Sequence, residues 1–73
     1  MYYNERMLAT REDHDESQRE IARKLNMSQQ QYQKYEAGIT ALPIKYLIAF
    51  CRHYSVSADY ILGLPRGLEW PRG

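Results

Sequence analysis

The sequence predicts an all-α fold, and three observations favour it. Serine residues precede three of the amphipathic segments, at positions where a hydroxyl can cap a helix. Apolar side chains recur at helical spacing, and no segment shows the alternation of a half-buried strand. Short turns that contain polar residues or glycine separate the segments. Because 73 residues supply one small core only, we expect a single compact bundle of five helices.

The first predicted helix spans about residues 2–12. Its spacing directs Tyr3, Met7 and Thr10 towards the core. Residues 13–16 are Asp, His, Asp and Glu, which predict a polar turn after this helix.

The second predicted helix begins after Ser17, whose hydroxyl can accept a hydrogen bond from an unpaired backbone N–H. Glu20 stands three positions later and completes a capping box. The inward stripe consists of Ile21, Ala22 and Leu25. Asn26 ends the helix, since asparagine tolerates the left-handed conformation that often follows a helix. The small Ala22 side chain allows a second helix to cross closely.

The third predicted helix begins after Ser28, spans about residues 29–36 and stops at Ala37-Gly38. Tyr32 and Tyr35 lie at inward spacing. The outward side chains are Gln29, Gln30, Gln33 and Lys34, with Gln31 at the margin. Because the turn from the second helix is so short, these two segments predict a helix-turn-helix.

Two further helices complete the bundle. Pro43 is suited to the first turn of a helix, and residues 44–53 follow as the most hydrophobic segment. The side chains expected to face inward are Leu47, Ile48, Phe50, Cys51 and Tyr54. Ser57 caps a last helix over residues 58–62, and Gly63 ends it.

The outward glutamines of the third helix favour DNA binding. A glutamine amide offers one donor and one acceptor, which can match the N6 and N7 edge of adenine in the major groove. A lysine can approach guanine or a phosphate. Glutamine is also a good helix former on surfaces without a ligand, so a plain solvated face is the alternative.

Several motifs together resemble the phage repressor and Cro-like helix-turn-helix domains, also called the xenobiotic-response-element family. The resemblance covers about Tyr3 to Leu64. The motifs are Ser17-Gln18, Glu20-Ile21-Ala22, Ser28-Gln29-Gln30, Tyr35-Glu36-Ala37-Gly38, Pro43 to Tyr54, and Val56 to Gly63. The resemblance implies a five-helix, lambda-repressor-like bundle that binds operator DNA, usually as a symmetric dimer, with its third helix in the major groove.

The resemblance also implies roles for individual residues. Gln18 matches a phosphate contact at the start of the second helix. The base-reading positions are matched by Gln29, Gln30, Gln31 and Lys34. Ser28 and Gln33 are expected at the DNA backbone as well. Arg11 and Glu36 match a partly buried ion pair between the first and third helices, although both side chains could instead be solvated.

One segment departs from the family pattern. Residues 39–43 follow the third helix and carry no basic side chain until Lys45, where family members commonly grip the DNA backbone. Because phosphate neutralisation dominates affinity, this apolar loop predicts weaker binding that salt disrupts more easily. The loop could instead contact a protein. The alternative function is therefore a protein-interaction module, antitoxin-like or coactivator-like, with little DNA affinity.

Charge and reactive side chains argue against other classes. Ten basic and nine acidic residues give a net charge of +1, so we expect any DNA-binding surface to arise from the distribution of charge. His14, Cys51 and His53 are the obvious nucleophile and ligand candidates, and their spacing suits neither catalysis nor a metal. We therefore expect no enzyme activity, no metal and no cofactor. The lone Cys51 is expected to be a buried thiol.

The termini complete the prediction. The start MYYNERM lacks an apolar stretch, and no run of about 20 apolar residues occurs, so we expect a cytoplasmic protein without a secretory signal. We divide the chain into a domain over residues 1–64 and a tail over residues 65–73. The tail contains Leu68 and Trp70, which either pack on this domain or a second subunit or belong to a frayed terminus.

Overall fold

The computed structural model describes residues 3–65, and five α-helices make up its regular structure. In chain order they are α1 (Tyr3–Asp13), α2 (Gln18–Lys24), α3 (Gln29–Glu36), α4 (Ile44–Tyr54) and α5 (Ala58–Leu62). No strand occurs between residues 3 and 65. The expected all-α bundle is thus confirmed, while the proposed packing of Leu68 and Trp70 lies outside the described residues.

Serine side chains fix the beginnings of three helices. The hydroxyl oxygens of Ser17, Ser28 and Ser57 each accept a backbone N–H at 3.1 Å, three residues further along the chain. At α2 the Glu20 carboxylate also accepts the Ser17 N–H at 2.9 Å, which completes the predicted capping box. A serine cap of this kind stabilises a helix by about 1 kcal/mol.

Left-handed residues end α2 and α5 as expected. Asn26 has φ 60° directly after Leu25, the C-cap of α2, and Gly63 has φ 71° at the end of α5. Gly38 is also left-handed, at φ 78°, and it follows α3 where the chain passes close to Asn4. A Cβ at Gly38 would lie 3.2 Å from the Asn4 side-chain nitrogen, so glycine suits both the backbone conformation and the space.

Each helix contributes one large, fully buried side chain to the centre of the domain. These side chains are Met7, Ile21, Tyr32, Phe50 and Ile61. Removing a side chain of this size from water stabilises the fold by about 2 kcal/mol. The core therefore depends on all five helices, and the short α5 is part of it.

The inward face of α4 differs from the predicted one at Ile48. Leu47, Phe50, Cys51 and Tyr54 are buried, whereas the Ile48 side chain remains 47% exposed. The four buried residues follow the spacing i, i+3, i+4 and i+7 of a single helical stripe, and Ile48 lies one step outside it. The prediction of an inward Ile48 was wrong, while the buried Cys51 thiol is confirmed.

None of the helices within residues 3–65 combines the length and the hydrophobicity that a membrane span requires.

Candidate nucleic-acid interface

Helices α2 and α3 form the predicted two-helix unit. Ala22 of α2 is buried, and its carbonyl oxygen accepts the Met27 N–H at 3.0 Å across the turn. Because the Ala22 side chain is small, α3 can approach α2 closely. The pair is held to the rest of the core by Tyr32 and Tyr35, both buried on the inner side of α3.

The opposite side of α3 is open to solvent. All side chains assigned to base reading on this helix are exposed, as is Gln33, and they form one polar face: Gln29, Gln30, Gln31, Gln33 and Lys34. The residues that support this face from below are Tyr32, Tyr35 and Glu36. We call the exposed set the α3 polar face. It contains four amides, one ammonium group and no carboxylate, which suits a polyanionic ligand.

Gln31 differs from its neighbours on the α3 polar face. Its side-chain Nε2 donates a hydrogen bond to the Tyr35 hydroxyl oxygen at 2.9 Å, one helical turn further on. Its backbone N–H is bonded to the Ser28 hydroxyl at 3.1 Å. The structure therefore constrains Gln31 at both its main chain and its side chain.

The structure brings Arg11 and Glu36 together in a bidentate ion pair. Arg11 Nε donates to Glu36 Oε2 at 3.0 Å, and Nη2 donates to Oε1 at 2.9 Å. The two side chains are 13% and 4% exposed, so both are largely desolvated. Arg11 Nη1 also donates to the Glu16 carbonyl oxygen at 2.8 Å. This arginine thus connects α1, the turn before α2 and the end of α3.

Glu36 accepts two further hydrogen bonds. Gln18 Nε2 donates to Oε1 at 3.0 Å, and the Tyr32 hydroxyl donates to Oε2 at 2.7 Å. Burial alone would raise the pKa of the Glu36 carboxyl, but the bonds from Arg11, Tyr32 and Gln18 outweigh it and hold that pKa below its usual range. For Tyr32, burial and the bond to Glu36 raise the pKa of the phenol.

The residues predicted to contact the DNA backbone differ in exposure and in hydrogen bonding. Gln18, assigned to a phosphate, is half-buried with its amide nitrogen on Glu36, which leaves its second N–H and its carbonyl oxygen for other partners. Ser28 and Gln33 are exposed, and the Ser28 hydroxyl also caps α3. Further exposed basic side chains lie on α2 and at the start of α4: Arg19, Arg23, Lys24 and Lys45.

Sequence reasoning missed a polar cluster between the turn before α2 and the C-terminal end of α4. The Glu16 carboxylate bonds to His53 Nε2 at 2.9 Å and accepts the Tyr54 hydroxyl at 2.9 Å. The bond with His53 lowers the pKa of Glu16 despite partial burial, and the bond from Tyr54 acts in the same direction. The His14 ring lies beside the Tyr54 ring, with 4.8 Å between centroids. No local pattern predicts this cluster, because 37 residues separate Glu16 from His53.

The loop after α3 exposes apolar surface. Ile39 is 74% exposed, whereas Leu42 is half-buried and its N–H donates to the Tyr3 hydroxyl oxygen at 3.1 Å. The end of this loop is therefore bonded to α1. Within residues 3–65, no group of three histidine, cysteine or acidic side chains has an arrangement suited to a metal ion.

Comparison with known proteins agrees with the geometry. The family model described as helix-turn-helix matches residues 8–61. An uncharacterized HTH-type transcriptional regulator, YobD of Bacillus subtilis (strain 168), is 36% identical over 62 residues. The match covers 85% of this chain and 55% of YobD, so the chain spans about half the length of that relative. No solved structure matches the chain significantly.

Proposed function

The chain belongs to the helix-turn-helix family, and on that premise we propose that it is a DNA-binding transcription regulator that reads a palindromic operator as a homodimer. Helix α3 is its recognition helix. Gene repression by occlusion of a promoter is the proposed outcome.

The observation that carries this proposal is the α3 polar face. Its amides and Lys34 are exposed, while the buried Tyr32, Tyr35 and Glu36 hold the helix against the domain. A major groove is wide enough for an α-helix, and each base pair presents a distinct pattern of donors and acceptors there. An accessible, firmly held helix with a row of amides has the chemistry that such recognition needs.

Phosphate contacts would orient the helix in the groove. Gln33 belongs to the α3 polar face, Ser28 borders it, and Gln18 adds an amide close to the N-terminus of α2. Exposed basic side chains on α2 extend this surface. Contacts of this kind fix the register of the protein on the duplex without reading sequence.

A dimer would present two recognition helices to one face of the duplex. Successive major grooves on the same face are about 34 Å apart, so a two-fold symmetric dimer reads two half-sites at that spacing. The proposal predicts a palindromic site that contains A·T pairs opposite the glutamines.

The test is selection from random duplexes at low and high salt, with the unmodified chain and two glutamine variants. Gln30→Ala is expected to cost ~1–3 kcal/mol of discrimination and to relax the preference at one position of each half-site. Gln33→Ala is the matched control on the same helix, and it should weaken all duplexes alike. Equal losses for all duplexes after Gln30→Ala would contradict base reading.

A second candidate function rests on the exposed Ile39. A side chain of this kind in place of a basic loop residue favours a protein partner over DNA. The chain would then be an antitoxin-like or coactivator-like interaction module. The same selection separates the two functions, because a module of this kind enriches no duplex even at low salt.

A further inference from the structure

The bond between Gln31 and Tyr35 distinguishes one glutamine of the α3 polar face from the others. Gln31 Nε2 donates to the Tyr35 hydroxyl oxygen at 2.9 Å. Within residues 3–65, the side chains of Gln29, Gln30 and Gln33 have no such partner. A free glutamine side chain loses rotamer freedom when it binds, whereas a side chain already held in place loses less.

Tyr35 is well suited to hold this amide. Its side chain is only 5% exposed and belongs to the hydrophobic core. Its ring lies beside the Tyr46 ring of α4, with 6.1 Å between centroids. The ring is therefore fixed by packing, and its hydroxyl is a hydrogen-bond acceptor for Gln31 at a fixed position.

The remaining groups of the Gln31 amide define what it can read. Nε2 carries two hydrogens, and the bond to Tyr35 uses one of them. One hydrogen on Nε2 and the oxygen Oε1 remain, which together match N7 and N6 of adenine. Guanine presents two acceptors on that edge and would leave Oε1 without a donor.

We propose that Tyr35 positions the Gln31 amide to read one adenine in each half-site. Tyr35 is a positioning residue in this proposal, and Gln31 makes the base contact. The inference rests on the proposed function, since it assumes that α3 enters the major groove. The inference adds Tyr35, which lies beneath the DNA-contacting surface, to the residues that set base specificity.

Selection from random duplexes tests the pair with four proteins: the unmodified chain, Gln31→Ala, Tyr35→Phe and the double variant. Gln31→Ala should remove an adenine preference at one position, a loss of about 5- to 100-fold. Tyr35→Phe keeps the buried ring, removes the hydroxyl and should weaken the same preference about fivefold. The double variant should match Gln31→Ala, because Tyr35 acts only through Gln31.

Tyr46→Phe is the matched control, since it removes a hydroxyl from the neighbouring ring and leaves the Gln31 bond intact. Its base preferences should equal those of the unmodified chain. Unchanged preferences in Tyr35→Phe, or equal weakening at all positions, would overturn the positioning role while DNA binding stands. If the unmodified chain enriches no duplex at either salt concentration, the proposed function itself fails, and this inference fails with it.

Discussion

At the scale of single residues, Glu36 attaches α3 to the rest of the domain through more bonds than the sequence pattern of α3 indicates. Its carboxylate accepts two hydrogen bonds from Arg11 of α1, one from Gln18 of α2 and one from Tyr32 of its own helix. A buried carboxylate is costly unless its oxygens are paired and bonded. Here four bonds satisfy both oxygens, so the end of α3 is tied to two other helices.

Replacing Arg11 should therefore destabilise the domain. Arg11→Ala leaves the Glu36 carboxylate buried with only its bonds from Gln18 and Tyr32, and the expected loss of unfolding free energy is about 3 kcal/mol. Lys24→Ala is the control, because Lys24 is exposed and its removal should change stability little. Chemical denaturation monitored by circular dichroism measures both. Equal midpoints for the two variants would show that the ion pair does not stabilise the fold.

At the scale of helices, the sequence specifies most boundaries because the signals are local. Each capping serine and the residue whose backbone N–H donates to it lie three positions apart, and Asn26 and Gly63 adopt their left-handed conformations within a single turn. Signals of this range can be read without knowing the fold. The same is true of the buried stripe on α4, whose spacing i, i+3, i+4 and i+7 leaves Ile48 outside the core.

Contacts between distant segments were less predictable. The resemblance implies the pairing of Arg11 with Glu36, yet nothing in the residues indicates that Gln18 shares that carboxylate. The cluster of Glu16, His53 and Tyr54 joins segments that appear in sequence as a polar turn and a helix end. Side chains in such clusters are identified only once the helices are placed in space.

The cluster of Glu16, His53 and Tyr54 joins the turn before α2 to the C-terminal end of α4. The stability that it contributes to the fold should depend on pH. The bond with His53 holds the pKa of Glu16 below its ordinary value of 4.5. A carboxyl group with a lowered folded-state pKa contributes stability above its unfolded-state pKa, and this contribution disappears as the pH falls through the folded-state pKa. The stabilisation should therefore be present above about pH 5 and lost at pH values below about 4.

Glu16→Gln tests this dependence. At pH 7 the variant should unfold at a lower temperature than the unmodified chain, and the difference should shrink as the pH falls below about 4. The groups that face the carboxylate are His53 and Tyr54 from α4, with Lys24 of α2 nearby. Glu5→Gln, which alters an exposed carboxylate on α1, is the control and should show a much smaller pH-dependent difference. A constant difference for Glu16→Gln between pH 3 and 7 would rule out the proposed linkage.

At the scale of the whole molecule, the small core leaves apolar surface uncovered. Ile44 and Leu62 are exposed, and together with Tyr3, Ala41, Leu42 and Leu47 they line a groove of about 350 Å³ between α1, α4 and α5. Ile48 lies one turn beyond Ile44 on α4 and is also partly exposed. A two-fold dimer needs a surface that is complementary to itself, and here the exposed Ile48 lies beside the apolar groove that Ile44 and Leu62 line. We propose this surface for the homodimer.

Sedimentation of Ile44→Glu tests the dimer and its surface together. Ile44 is 73% exposed at the first position of α4, where a carboxylate favours the helix, so the monomer should fold normally. Because each copy would lose a buried side chain, dimerisation should weaken by about 3 kcal/mol, or roughly a hundredfold. Ile39→Glu is the matched control, since Ile39 is equally exposed in the loop but does not line the groove. If the unmodified chain sediments as a monomer and binds isolated half-sites as tightly as palindromes, the dimer proposal fails. If Ile39→Glu dissociates the dimer and Ile44→Glu does not, the two copies meet at the loop instead.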